Sequence, residues 1–352
     1  MKTYNRLFQR ICSFENLLSA ARKAQRSKRF QTDVARFNFH LEKEVYRLQT
    51  ELQTQTYRPG AYHEFYVYEP KLRKISAAPY RDRVVHHALC NVVEPIFERT
   101  FIYDSYACRK GKGTHKAVHR FTAFSRKNAY VLKCDIKKYF PSIDHDILKT
   151  QFRRKIRDAG VLWLMALIVE SSNPQEYVRE YFQGDDLLTS LNRQRGIPIG
   201  NLTSQFFANI YLNGFDHSVK EDLKCRYYIR YVDDFVVLEN DKARLHQVKA
   251  EMDTYLTQLR LKLHPHKCQV SPVKDGTDFL GYRIFPTHRR LRASSVRRAR
   301  RRLRRLVQDY EADKITWADV NHSVQSWLGH IKHADTYGLR RAIFSETVFR
   351  RS

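Results

Sequence analysis

Acid is scarce in this sequence of 352 residues: 37 Asp and Glu stand against 64 Lys and Arg, a formal net charge of +27. An imbalance of that size calls for a polyanionic partner, most often nucleic acid. Long apolar runs are missing as well. The longest, Val161 to Val169, is too short to cross a bilayer. The N-terminal MKTYNRLFQRICSFE lacks the apolar core of a signal peptide. No membrane partner and a cytoplasmic location are therefore expected. Cysteines at 12, 90, 108, 134, 225 and 268 form no C-x-x-C pair. That argues against a zinc knuckle and a disulfide framework and fits a reducing compartment. His330 and His333 lie about one helical turn apart, but no Cys or acid is spaced to complete four ligands. Packing is the better reading of both. Internal repeats and low-complexity linkers are absent. What is plentiful is apolar surface: 42% hydrophobic residues, enough for a core and too many for a disordered basic tail.

Along the chain, residues 1–58 read as a polar helical extension, with Val34, Phe37, Leu41, Val45, Leu48 and Leu52 close to a 3.6 period. Tyr57-Arg58-Pro59-Gly60 punctuates it. Short β-prone runs at Glu64–Tyr68 and Arg73–Ile75 precede a helix over 81–97 and a basic Gly-containing loop at 109–113. Ala129–Ile136 reads as a buried strand ending on an acid, followed by helices around 144–157 and 160–171. After Gly196 comes a long apolar helix. Arg226–Glu239 then reads as two β runs meeting at an Asp pair, followed by a helix over 241–260 and strands near 268–272 and 279–285. From Ser295 the chain is helical again. Val296, Ala299, Leu303, Leu306, Val307 and Tyr310 make one stripe, with arginines on the remaining faces. Thr316 and Asp319 mark a capping-box start for a last amphipathic helix. Alternating strand and helix in the middle predicts an α+β fold with one continuous sheet.

Three acids carry the chemistry: Asp135 closing one strand, and Asp233-Asp234 between two others. Phosphoryl transfer run by two divalent metals needs carboxylates from separate strands converging on ions roughly 4 Å apart. An Asp pair alone also suits a solvated hairpin turn. Here, however, Tyr231-Val232 precedes it and Phe235-Val236-Val237-Leu238 follows. Acids inside such a run are costly to bury unless cations balance them.

Tyr231-Val232-Asp233-Asp234 resembles the signature of reverse transcriptases. Further blocks follow in that family's order. Glu69–Ile75, Arg81-Asp82-Arg83 and Glu94–Glu98 resemble its fingers blocks, and Ser105–Gly113 the next one. Asp135–Phe140 resembles the first catalytic block, and Gly196–Gln205 the template-and-nucleotide block. Leu263–Cys268 and Phe279–Tyr282 resemble the last two. The resemblance implies a right-hand polymerase fold of fingers, palm with antiparallel sheet, and helical thumb. It places the fingers at 59–128, the palm at 129–288 with an inserted fingers segment at about 158–196, and a basic thumb at 289–352.

It also implies roles. Asp135, Asp233 and Asp234 would hold two Mg²⁺, which Mn²⁺ can replace, with the Ile136 carbonyl as a further ligand. Lys267 would neutralise or protonate the leaving pyrophosphate. Phe140 would lie under the sugar and exclude a 2′-OH. Arg73 and Lys71 would contact the incoming triphosphate, a planar guanidinium being suited to phosphate. Ile199, Gly200 and Gln205 would border the nucleotide, Gly200 letting backbone approach it. Phe279, Leu280, Gly281 and Tyr282 would grip the primer end. Arg109, Lys110 and Lys112, with Arg297, Arg298, Arg301, Arg304 and Arg305, would track nucleic acid. The expected partners are template RNA, the RNA/cDNA duplex and dNTPs.

Most relatives carry Gln-Gly-x-x-x-Ser-Pro in the template block. Ile199-Gly200-Asn201-Leu202-Thr203-Ser204-Gln205 instead resembles the enzymes of diversity-generating retroelements, as does the tail Trp327–Thr336. Those enzymes copy a template-repeat RNA with errors at adenines, alongside a small basic accessory protein, in bacterial, phage or archaeal cells. A Gln at 199 would hydrogen-bond the incoming nucleotide where Ile cannot. One net hydrogen bond is about 0.5–1.5 kcal/mol, enough to loosen discrimination. The chain stops 70 residues after Tyr282, so maturase, DNA-binding and endonuclease domains are not expected. No RNase H block and no Val-Thr-Gly retron signature is present. The alternatives are a group II-like, CRISPR-linked or phage-defence reverse transcriptase, or a catalytically idle RNA-binding protein.

Overall fold

The computed structural model describes residues 2–68, 72–176, 178, 180–186 and 188–350. Among them, nine strands fall into three antiparallel sheets. β1 (His63–Val67) and β2 (Arg73–Ala77) form a two-stranded ribbon. β3 (Tyr130–Asp135), β4 (Tyr227–Tyr231), β5 (Asp234–Glu239) and β6 (Gln269–Pro272) form the central sheet in the order β4-β5-β3-β6. β7 (Thr277–Phe279), β8 (Tyr282–Ile284) and β9 (Arg289–Leu291) make the third.

The expected single sheet is thus split. The cause lies between β6 and β7, where a 3₁₀ turn, Val273–Asp275, leads into Gly276 at φ +79°. A Cβ at Gly276 would lie 2.5 Å from the Phe285 ring, so only glycine lets the chain double back here.

The central sheet is buried on both faces, which explains its near-continuous apolar strands. Along β5, Phe235 and Val237 join a core with Leu132, Cys134 and Tyr228, under the helices Ala159–Glu170, Leu202–Tyr211 and Lys242–Gln258. Val236 and Leu238 face the other way, with Val131 and Ile229. There they meet Val118, Phe121 and Phe124 of the helix Thr114–Ser125 and Phe279, Tyr282 and Ile284 of the third sheet. That helix was not foreseen in the sequence.

The N-terminal helices Phe8–Cys12, Phe14–Ala24 and Thr32–Phe39 pack on the long helix Tyr80–Glu98, and Leu41–Gln53 packs on the first two. The helical period expected from Val34 to Leu52 breaks at His40, where ψ turns to +35°. Asp158 fastens the chain start: its carboxylate accepts from the Leu7 and Phe8 backbone N–H groups at 2.6 and 3.0 Å.

The C-terminal helices are Ala293–Glu311, Trp317–Ile331 and Tyr337–Ser345. The Thr316–Asp319 capping box forms as expected. The arginine-rich helix buries only Leu303; the rest of its stripe is half-covered. No described helix is long and apolar enough to cross a membrane.

Candidate active site

β4 and β5 are joined by the tightest connection the register permits. Tyr231 stands opposite Asp234, so Val232 and Asp233 make the turn. Val232 takes φ +59°, a left-handed conformation that costs a β-branched residue about 1–2 kcal/mol. Asp135, at the end of β3, stands directly opposite Asp234. Like charges facing across two strands repel, and two cations answer them. Lys267 Nζ lies 2.9 Å from Asp135 Oδ1, and Lys133 Nζ lies 3.6 Å from Asp234 Oδ2.

The compensation is incomplete. Burial, then the charge of Asp135, pushes the Asp233 carboxyl up to about 6, while Arg73 and Lys267 pull it down. Burial pushes Asp234 up to about 7; Lys133 opposes this, and Asp233 and Asp135 add to it. Asp234 Oδ1 is buried without a hydrogen-bond partner. Crowded hard oxygen donors with one atom orphaned are the donor set a divalent cation takes. Among the described residues no three such side chains already stand in a metal-ready arrangement, and Asp135 is engaged by Lys267. The donor chemistry fits such an ion, and the lysines meanwhile hold the balancing charge.

Backbone contacts tie Ile136 to the turn and link the segments of Phe140 and Ile199 to their neighbours. The Ile136 N–H donates to the Asp233 carbonyl at 3.2 Å, tying the end of β3 to the turn. The Ile197 N–H donates to the Phe140 carbonyl at 3.1 Å, and the Ser76 N–H to the Ile199 carbonyl at 2.9 Å. The Asn201 side chain clasps the Ser76 carbonyl and the Ala78 N–H at 2.9 and 3.0 Å. The loop carrying Ile199 and Gly200 is thereby strapped to β2, which Arg73 opens. Gly200 takes φ +124°, and a Cβ there would lie 2.8 Å from Ile75 Cγ2. In this structure its glycine serves the close approach of β2. Phe140 and Ile199 are half-buried; Arg73 and Gln205 are exposed. Lys71 lies outside the described residues.

Some expectations need correction. Phe279 and Tyr282 are wholly buried, and the Tyr282 hydroxyl donates to the His330 carbonyl at 2.7 Å. Their rings therefore cannot touch a primer. Only the Leu280–Gly281 turn, with φ of +49° and +91°, is placed to offer backbone. Arg109 is a staple rather than a nucleic-acid contact: its guanidinium binds Glu98 at 2.7 Å and the carbonyls of Ile102 and Ser105. Lys112 is held on the Tyr103 ring and carbonyl, while Lys110 is exposed. Arg297, Arg301, Arg304 and Arg305 are exposed on their helix; Arg298 is half-buried and reaches Ser295 Oγ. His330 and His333 are packing groups, His333 stacked on His115 at 3.7 Å.

Sequence reading missed what lies under the turn. Arg230, fully buried, makes a two-pronged ion pair with Asp216, also fully buried, at 2.7 and 2.6 Å. Within Arg226–Tyr231, which already carries two arginines and three tyrosines, nothing marked Arg230 as interior.

The family model described as reverse transcriptase (RNA-dependent DNA polymerase) matches residues 68–284, more than half of the chain. Protein YkfC of Escherichia coli (strain K12) is 26% identical over 326 residues, covering 80% of this chain and 83% of that protein. Group II intron-encoded protein LtrA of Lactococcus lactis subsp. cremoris is 24% identical over 183 residues, 51% of this chain and 28% of its own. Among solved structures, apo telomerase from Candida tropicalis matches with a TM-score of 0.44 at 13% identity, over 65% of this chain and 48% of that one. The chain thus spans most of YkfC, about half of the telomerase chain, and under a third of LtrA.

Proposed function

The chain belongs to the reverse transcriptase family, and from that premise we propose that it copies template RNA into cDNA with Asp135, Asp233 and Asp234 as its catalytic carboxylates. Membership makes it an RNA-directed DNA polymerase of right-hand fold. The observation that carries the site assignment is the register that sets Asp135 against Asp234, beside Asp233 in the turn.

In this reading the three carboxylates hold divalent cations, which when bound supply charge neutralisation and a more acidic primer 3′-OH. Arg73, exposed and close enough to lower the Asp233 carboxyl, binds the triphosphate of the incoming dNTP. Lys267 leaves Asp135 for the departing pyrophosphate, to which it lends charge or a proton. Phe140 floors the sugar and rejects a 2′-OH. The two-stranded ribbon and the helix Tyr80–Glu98 serve as fingers, the central sheet as palm, and the arginine-rich helix as a thumb against the template–primer duplex. Primer extension on an RNA template with Mg²⁺ tests this: the wild-type chain extends and Asp233→Ala does not. Equal failure of both, with RNA binding retained, would favour an idle RNA-binding protein.

The finer reading is an error-prone enzyme of a diversity-generating retroelement, working with a small basic accessory protein. Ile199 supports it. The residue sits in the strapped loop, half-buried, with no group able to hydrogen-bond a base. Misincorporation opposite template adenine should fall roughly twofold to tenfold in Ile199→Gln; an unchanged error spectrum sinks the idea. The intron-encoded relative favours a second reading, a group II-like enzyme without mutagenic role. A template repeat beside the gene, paired with a near-copy differing at adenines, separates the two.

A further inference from the structure

Under the catalytic turn lies a buried polar cluster to which the polymerase reading gives no task. Arg230 Nε donates to Asp216 Oδ1 at 2.7 Å and one terminal nitrogen to Asp216 Oδ2 at 2.6 Å. The other terminal nitrogen, Nη1, makes two bonds: to Asn209 Oδ1 at 3.2 Å and to the Val232 carbonyl at 3.0 Å. Asp216 also accepts from the Tyr228 hydroxyl at 2.7 Å, and Asn209 donates to the Ala107 carbonyl at 2.9 Å. The guanidinium is therefore fixed by an acid, an amide and a wholly covered pocket before it meets the turn.

As a stabiliser this pair is a poor choice, because a buried ion pair gains little over apolar groups of the same volume. Its distinguishing feature is the bond to Val232. That residue holds φ at +59°, which its branched side chain disfavours, so the turn needs something to keep it there. Fixing the Val232 carbonyl fixes the peptide plane that joins Val232 to Asp233. From the other side, the Asp233 carbonyl is held by the Ile136 N–H at 3.2 Å. Asp233 is thus bracketed by one hydrogen bond on each flanking peptide, and Arg230 supplies the first.

We infer that Arg230 is a positioning residue for nucleotidyl transfer: through the Val232 carbonyl it locks the strained turn so that Asp233 and Asp234 face Asp135. Four donated hydrogen bonds in a fixed planar fork do this. Lysine has a single nitrogen on a flexible stem, and it cannot hold Asp216 and Val232 in the same geometry. The inference rests on the polymerase reading, so its test needs one readout that works without turnover.

The variants are Arg230→Lys, Val232→Gly and the double variant, each checked for a cooperative melt. Extension of a DNA primer on an RNA template should show kcat for Arg230→Lys down roughly 10²-fold, as misplacement by about 1 Å costs. The KM for dNTP and the template–primer Kd should stay within about threefold, because neither ligand touches Arg230. Mn²⁺ binding, followed by electron paramagnetic resonance, should weaken in parallel with kcat. Glycine takes φ +59° without penalty. Val232→Gly in the Arg230→Lys background should therefore recover roughly tenfold in kcat and strengthen Mn²⁺ binding again. A merely structural pair would show no such rescue. A wild-type chain that binds Mn²⁺ but never extends sinks the polymerase reading, and the Mn²⁺ series still decides the role of Arg230. If Arg230→Lys does not fold, Asp216→Asn replaces it, with a smaller loss and the same rescue. A folded Arg230→Lys with wild-type kcat and Mn²⁺ affinity overturns the inference, as does a loss that Val232→Gly leaves untouched.

Discussion

The β4–β5 turn and the helix Ala293–Glu311 both concentrate charge of one sign, and they do so at opposite costs. The turn gathers acids where water is scarce. Asp135 and Asp234 face each other across β3 and β5, Asp234 Oδ1 lacks a partner, and Val232 is bent into a left-handed conformation. The helix spreads its arginines into solvent and buries one side chain, Leu303. Exposed charges on a helix cost little and bind weakly one by one. Buried acids are expensive and persist only where the fold over-determines them. The first arrangement suits chemistry that needs close placement, the second suits a grip on a long polyanion.

The sharpest way to break this contrast is to remove one half-buried acid. Asp234→Ala should lower primer extension by at least about 10³-fold, as expected when a unit of catalytic groups loses a member. It should leave the melting temperature intact or raise it. Loss of folding instead would mean that the carboxylate is structural, and the contrast would fail.

Metal ions sharpen it further. In EDTA, Asp234→Asn should melt higher than wild type by on the order of 2 °C, because the amide removes a desolvated charge and its repulsion from Asp233 and Asp135. Mg²⁺ should then raise the wild-type melt by mass action and move the variant much less. A wild-type melt indifferent to Mg²⁺ would show that Lys133 and Lys267 already settle the charge.

Packing gives the next test. Leu132, 1% exposed in β3, should cost about 3 kcal/mol when cut to alanine. Leu303, 8% exposed, should cost about 1 kcal/mol, read from urea midpoints. Equal costs would show the arginine-rich helix to be packed as tightly as the sheet.

The same contrast decides what the sequence disclosed. The hairpin and its acids were legible because charge interrupts an apolar run, and Tyr227–Tyr231 and Asp234–Glu239 fall within the expected Arg226–Glu239. The separation of the third sheet was not, since it hangs on Gly276 meeting the Phe285 ring, a meeting that no periodicity carries. The helix Thr114–Ser125 had a signal that went unread: Ala117, Val118, Phe121 and Phe124 follow a helical period and all are buried. Arg109 misled because its glycine-and-lysine neighbours suggest a solvated loop, while Glu98 and two carbonyls hold it inside. Arg230 was invisible for a like reason: its partner, Asp216, stands 14 residues earlier, on a short helix outside the strand. Charges that bind outward obey composition and can be counted. Charges that bind inward need the partner's position, which only the fold provides.

The smallest effect expected is at the exposed arginines, and it tests the outward half of that statement. Arg297 and Arg304 are exposed and seven residues apart, hence on about the same side of their helix. If each meets a phosphate, Arg297→Ala/Arg304→Ala should weaken binding to every template–primer sequence alike. The slope of log affinity against log salt should shrink by about 1 for each phosphate left without its arginine. At saturating template–primer, kcat should hold, because no side chain near Asp233 has changed. A fall in kcat at saturation, or a slope that does not move, would mean that these arginines are not counterions to the duplex but part of the fold that places it.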